Sequence, residues 1–254
     1  MGLKDKVVIV TGGGVGIGRA FCLGLAENGA SVVIADINVE AAKKVALEIE
    51  KTGGKALALF TDVSNEKSTK EMAQNTIERF GKIDVLVNNA ALFVALGKLK
   101  PWTEIDADEW DKVMAVNIRG PFLCSRAVYP CMKDQGKGKI INICSGVAFH
   151  GIAGHLHYAT SKGGVLGFTR SLARELAGQN ITVNALAPGA TTHEGVISHK
   201  GMTQEMIEQI KQTRCVQRDL SPQDLVGTLD FLASDESDMI CGQSILVDGG
   251  YWFI

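Results

Sequence analysis

The run Thr11-Gly12-Gly13-Gly14-Val15-Gly16-Ile17-Gly18 stands between a β-branched segment, Val7-Val8-Ile9-Val10, and a stretch of helical period from Ile17 to about Asn28. No other feature constrains the fold as tightly. Residues without a Cβ let a strand turn at once into a helix, so the junction reads as β, tight turn, α. The same alternation then returns: a strand at 31–35, a helix at 39–51 ended by Gly53-Gly54, a strand at 56–60, and a helix at 66–80 ended by Gly81. Further strands are predicted at 85–87, 140–143, 181–186 and 244–247. Apolar strands joined by helices are the pattern of a parallel sheet covered on both faces. Right-handed crossovers make it a doubly wound α/β sheet, with ligands outside the carboxyl ends of its strands.

No linker, repeat or low-complexity segment divides the 254 residues, so one domain over 1–254 is expected, with a substrate loop or lid around 190–215. A long helical stretch from Asp108 to Met132 contains Pro121, which predicts a kink or a split there. The formal charge of -2, without runs of like charge, offers no footprint for nucleic acid or an anionic membrane. The charged start Lys4-Asp5-Lys6 lacks the apolar core of an export signal, and no apolar run reaches the roughly 18 residues of a membrane span. Six cysteines without a Cys-x-x-Cys pair read as reduced, packed thiols of a cytoplasmic protein. A small discrete ligand is the expected partner.

Two sites of chemistry stand out. The glycine turn, with Gly12, Gly14, Val15, Gly16, Ile17 and Gly18, would bring backbone amides at a helix start against a pyrophosphate. Asp36, followed by Ile37, ends the second strand at the offset of an acid that hydrogen-bonds an adenosine ribose, and it would repel a 2′-phosphate. No Lys or Arg at positions 15 or 37 compensates, so NAD is favoured over NADP. A plain helix-capping role for Asp36 before Val39 competes with that reading. In Tyr158-Ala159-Thr160-Ser161-Lys162 the spacing puts phenol and ammonium on one helix face, where a cation favours the phenolate and lowers the tyrosine pKa. A surface Tyr-Lys pair has the same spacing. His155 and His157 form an H-x-H pair without an evident third ligand, so no metal is expected.

Thr11-Gly12 with Gly16 and Gly18, Asn88-Asn89-Ala90, Asn117, Ser145, Tyr158, Lys162 and Pro188-Gly189, in this order across the whole chain, resemble the short-chain dehydrogenase/reductase family. The resemblance implies a Rossmann-like sheet of about seven strands and an NAD-dependent oxidoreductase acting on a secondary alcohol or ketone. It implies that Tyr158 is the general acid/base, that Lys162 holds the nicotinamide ribose and lowers the tyrosine pKa, that Ser145 steadies the substrate oxygen, and that Asn117 holds a proton-relaying water. Asp62 and Val63 would lie at the adenine, Asn88, Asn89 and Ala90 along the cofactor path, and Pro188, Gly189 and Thr191 near the carboxamide. A homo-oligomer, usually a tetramer, is also implied.

Three departures from the family pattern are Ala91 for a glycine, Cys144 for a serine and His193 for a threonine. None removes a catalytic group. Phe93, Val147, Phe149, His155 and His193 are the candidate substrate-pocket residues, mixed in polarity, and an apolar lining would suit a medium-sized or aromatic alcohol. A 3-oxoacyl-thioester reductase, a 3-hydroxyacyl or sugar dehydrogenase, and an inactive dinucleotide-binding sensor are the alternatives. The intact catalytic set speaks against the sensor.

Overall fold

The computed structural model describes residues 2–192 and 203–254. Elements alternate from the start: β1 (Val7–Thr11), α1 (Gly16–Glu27), β2 (Ser31–Asp36), α2 (Val39–Lys51), β3 (Lys55–Phe60), α3 (Glu66–Phe80) and β4 (Val85–Asn88). Then come α4 (Ala107–Met114), α5 (Gly120–Gln135), β5 (Gly138–Ile143), the single turn α6 (Val147–His150), α7 (Leu156–Glu175) and β6 (Ile181–Pro188). Helices Gln204–Thr213 and Gln223–Ala233, for which no element was expected, precede β7 (Ser244–Val247). All pairings are parallel, as the alternation predicted, and the strand order is β3-β2-β1-β4-β5-β6-β7.

Local chemistry sets the ends. Asn38 and Asn65 cap α2 and α3 by accepting the N–H of Ala41 and Ser68, each at 3.1 Å. Along the strands, alternate side chains enter opposite cores. Val8 and Val10 pack with Phe21 and Leu25 of α1 and Ile49 of α2, while Ile9 packs with Met72 of α3 and Val128 of α5. That two-sided burial is why the strands read as unbroken apolar runs.

The helix expected from Asp108 to Met132, with a kink or split at Pro121, is divided just ahead of that proline. The division is a wider π turn, Ala115–Arg119, in which the Gly120 N–H reaches back to Ala115 O. Pro121 then falls in the first turn of α5, where the widened turn accommodates its missing N–H. Asn117 sits in this bulge.

The chain runs from β1 outward to β3, then returns to β4 on the other side of β1. The carboxyl ends of β1 and β4 thus flank the switch point where such sheets bind ligands. No described helix is long and apolar enough to cross a membrane.

Candidate active site

A cavity of about 1250 Å³ opens at that switch point and extends over the ends of β5 and β6. One half is built from the glycine turn. Gly12 adopts φ +63°, and a Cβ on Gly18 would stand 2.0 Å from Gly12 O, so no larger residue fits this turn. Asn89 braces it by donating to Thr11 O and Gly12 O at 2.9 and 3.0 Å. Unlike α2 and α3, α1 has no side-chain cap, and its Ncap residue is Val15. Its first amides are therefore left to an anionic ligand, so the turn fits a pyrophosphate.

Asp36, buried at the end of β2, accepts the N–H of Gly14 at 2.9 Å and of Asn38 at 2.8 Å, one on each oxygen. It does not cap α2, a task that belongs to Asn38. The competing reading of Asp36 thereby falls, while each carboxylate oxygen keeps a lone pair for a ribose hydroxyl. Val15 and Ile37, each 67% exposed, rim the cavity beside it. Arg19, the cation next to the glycine turn in sequence, is engaged by Glu48 of α2 through Nε at 3.4 Å and a shorter contact from its Nη2.

Ser145, Tyr158 and Lys162 line the other half. Lys162 Nζ donates to Ile143 O at 2.7 Å and lies 5.8 Å from the centre of the Tyr158 ring. Phe93 packs on the Tyr158 ring, with centroids 4.7 Å apart and planes inclined by 43°. The pair is buried, not at the surface. Here one expectation needs correcting: burial pushes the Tyr158 phenol up to about 12, with the Ser145 hydroxyl acting the other way, and pushes the Lys162 ammonium down to about 8. In both groups desolvation, which disfavours the charged form, is the largest cause.

Asn117 is buried behind the cavity and does not line it. Its Oδ1 accepts the Leu92 N–H at 2.8 Å, and its Nδ2 donates to Leu92 O and to Ser161 Oγ at 3.2 and 3.0 Å. Ser161 donates in turn to Tyr158 O at 2.7 Å. The bulge thereby ties the cavity-lining Leu92 to the helix turn that carries Tyr158.

Most of the residues expected at the cofactor line the cavity: Gly12, Val15, Gly16, Ile17, Gly18, Asp36, Ile37, Asp62, Val63, Asn89, Ala90, Pro188, Gly189 and Thr191. Gly14 stands behind, against Asp36. Asn88 is a correction. Its side chain is buried in the sheet, away from the cavity lining, and its Nδ2 donates to Asn142 Oδ1 at 2.9 Å and Ser125 Oγ at 3.3 Å. Of the pocket candidates, Phe93, Val147 and His155 line the cavity, whereas Phe149 turns away to pack on the cluster of Cys144, Val165 and Leu166. His193 lies outside the described residues. Cys144 is buried, its thiol pKa raised by that burial, and it donates to Lys162 O at 3.2 Å.

Some contributors went unread in the sequence. Thr11 Oγ1 accepts the N–H of Asn89 and Ala90 at 3.0 and 3.1 Å, joining β1 to the end of β4. Asn142 passes the Asn88 contact on to Thr169 Oγ1 of α7 at 2.9 Å. A polar residue inside an apolar strand was the only available signal for Asn142. Tyr251 and Trp252, near the chain end, also line the cavity, and no local pattern points to that.

Residues 6–206 match the family described as short chain dehydrogenase. A subunit of (2S)-[(R)-hydroxy(phenyl)methyl]succinyl-CoA dehydrogenase from Thauera aromatica is 38% identical over 254 residues, covering 98% of each chain. Cyclopentanol dehydrogenase from a Comamonas species is 36% identical over 255 residues, again covering 98% of both. The crystal structure of a 3-ketoacyl-(acyl-carrier-protein) reductase from Brucella melitensis complexed with NADH superposes with a TM-score of 0.89 at 33% identity, covering 98% of this chain and 99% of that one. With residues 6–206 matched by that family and relatives 33–38% identical along nearly the whole chain, this chain is a member of the short-chain dehydrogenase family of oxidoreductases.

Proposed function

We propose that the protein moves a hydride between NAD(H) and a neutral secondary alcohol or its ketone, of medium size and apolar or aromatic character. One juxtaposition carries the reading: Ser145, Tyr158 and Lys162 share a single cavity with the glycine turn and Asp36. In the oxidation direction the alcohol O–H gives its proton to the Tyr158 oxygen, while the Ser145 hydroxyl donates to the alcohol oxygen. Lys162, held by Ile143 O, would stabilise the phenolate and hold the nicotinamide ribose. When bound, NAD+ supplies the hydride acceptor and a positively charged ring, which favours the phenolate that burial alone opposes. Asn117 keeps Leu92 and the Tyr158 turn in place from behind.

The substrate class follows from the lining. Among the described lining residues the only Asp, Glu, Lys or Arg side chains are Asp36, Asp62 and Lys162, all assigned to cofactor or proton transfer. The rest of the lining includes Leu92, Phe93, Leu99, Val147, Ile152, Met206 and Ile210, with His150, His155, Gln209, Gln212, Thr213, Tyr251 and Trp252 among them. Such walls suit an uncharged carbon frame better than a sugar or an acid. The Comamonas relative is named for cyclopentanol, a neutral secondary alcohol, in keeping with this, whereas the Thauera relative is named for a secondary alcohol carried on a succinyl-CoA thioester.

The test is absorbance of the reduced nicotinamide on mixing protein and NAD+ with secondary alcohols, sugars and 3-hydroxyacyl thioesters. Turnover of apolar alcohols is expected to lead; preference for the thioester would move the assignment to the reductase alternative. In the same assay NAD+ should be used far better than NADP+, and Asp36→Ala should lower efficiency with NAD+ by roughly 10- to 100-fold while narrowing the gap. Equal use of the two cofactors by the wild type would refute the role given to Asp36.

The reading extends to a homotetramer. Phe253 and Ile254 are 85% and 66% exposed on the single chain, an apolar end that a second copy would cover. Light scattering should return about four chain masses of 27.1 kDa each, and a monomer mass would contradict it.

A further inference from the structure

At the mouth of the cavity the end of the chain folds back over α6. Trp252 lies nearly flat on His150, with ring centroids 4.5 Å apart and planes inclined by 18°. Tyr251 meets the Trp252 ring edge-on at 5.1 Å. All three side chains line the cavity. The stack also lies close to the chemistry, because a Cβ on Gly146, next to Ser145, would stand 3.7 Å from His150 Nε2.

This strap is held firmly. The buried Asp248 carboxylate accepts the N–H of Gly250, Tyr251 and Trp252 at 2.9, 3.2 and 2.9 Å. Val216 and Cys215 donate to Gly249 O and Gly250 O at 2.9 and 3.4 Å, joining the strap to the segment after helix Gln204–Thr213. That helix supplies Ile210 and Thr213 to the cavity wall. Trp252, 41% exposed, thus has its backbone held by Asp248 and its ring seated between His150 and Tyr251, with the remainder open. A preorganised aromatic surface of this kind gains most by covering another ring or a cycloaliphatic face, since stacking and apolar burial then add without new ordering.

We infer that Trp252, seated on His150, is the specificity-determining wall of the substrate pocket, taking the ring of a cyclic or aryl-bearing alcohol while its carbinol carbon faces Tyr158. The inference rests on the alcohol-ketone reading above and adds the residue that selects within that class. His150 is the positioning residue behind it.

The test compares 1-phenylethanol with 2-propanol, which is too small to reach the wall, in the wild type, Trp252→Ala and Trp252→Phe with saturating NAD+. Trp252→Ala should lose about tenfold in kcat/KM for 1-phenylethanol, mainly through KM, with the 2-propanol value and the NAD+ affinity near those of the wild type. Trp252→Phe should recover most of the loss. An equal loss for both alcohols, or none for 1-phenylethanol, would overturn the inference. A binding arm separates this from the reaction itself. Acetophenone titrated into NAD+-loaded protein cannot react, both partners being oxidised, and should bind about tenfold more weakly to Trp252→Ala. Equal binding overturns the role of Trp252 whatever the turnover, whereas a wild type that binds acetophenone through Trp252 but oxidises no alcohol overturns the reaction and leaves the wall standing.

Discussion

Replacing Tyr158 with Phe is expected to lower kcat by about 10²- to 10⁴-fold, the usual contribution of a positioned acid/base, with little change in NAD+ affinity. The ring volume is kept, so the packing against Phe93 survives and only the hydroxyl is lost. Stopped-flow turnover alongside cofactor titration checks it, and near-normal turnover would remove Tyr158 from the mechanism. The pH dependence of the wild type supplies a second reading. Burial holds the phenol up to about 12, so alcohol oxidation, which needs the phenolate, should rise with pH, whereas ketone reduction, which needs the phenol, should fall.

Lys162→Met should likewise lose about 100-fold or more in activity, yet leave the protein more stable when measured without added cofactor. Lys162 is a buried cation hydrogen-bonded to Ile143 O, and among the described residues no carboxylate forms an ion pair with it. Methionine fills a similar volume without that desolvation penalty, offset in part by the donor lost to Ile143, for a net gain of about 1–2 kcal/mol at neutral pH. The folded-state pKa of about 8 lies below the ordinary lysine value of about 10.4, so the folded chain releases its proton first and wild-type stability rises between those limits. The advantage of the variant should accordingly be full below pH 8 and shrink toward pH 10.4. Chemical denaturation at pH 7 and pH 10 tests this; a variant less stable than wild type at pH 7 would show that Lys162 contributes to the fold as well as to the reaction.

Much of the site was legible because its signals are local. The glycine turn and Asp36 are each defined by neighbours along the chain, and α2, α3 and β7 have the predicted bounds because capping asparagines, a C-terminal glycine and apolar runs lie next to the ends they set. Asn88 and Asn89 show where locality fails. Adjacent in sequence and alike in chemistry, they point to opposite sides of the backbone, so one braces the glycine turn while the other is spent inside the sheet. Phe149 was misplaced for a similar reason: its position after Ser145 was visible, but the direction of its ring is set by the α7 core.

From the sequence alone came the doubly wound sheet, the cofactor turn and the residue types able to move a proton, since strand and helix periods and backbone sterics act over a few residues. Tertiary structure decided the rest. The opposed pKa shifts of Tyr158 and Lys162 arise from burial among distant elements, and the π turn binds Asn117 to Leu92 and Ser161 across the chain. Trp252 reaches the pocket only because Asp248 and the segment after Thr213 draw the chain end over α6. Desolvation and long-range hydrogen bonds depend on the packed whole, and no window of sequence contains them.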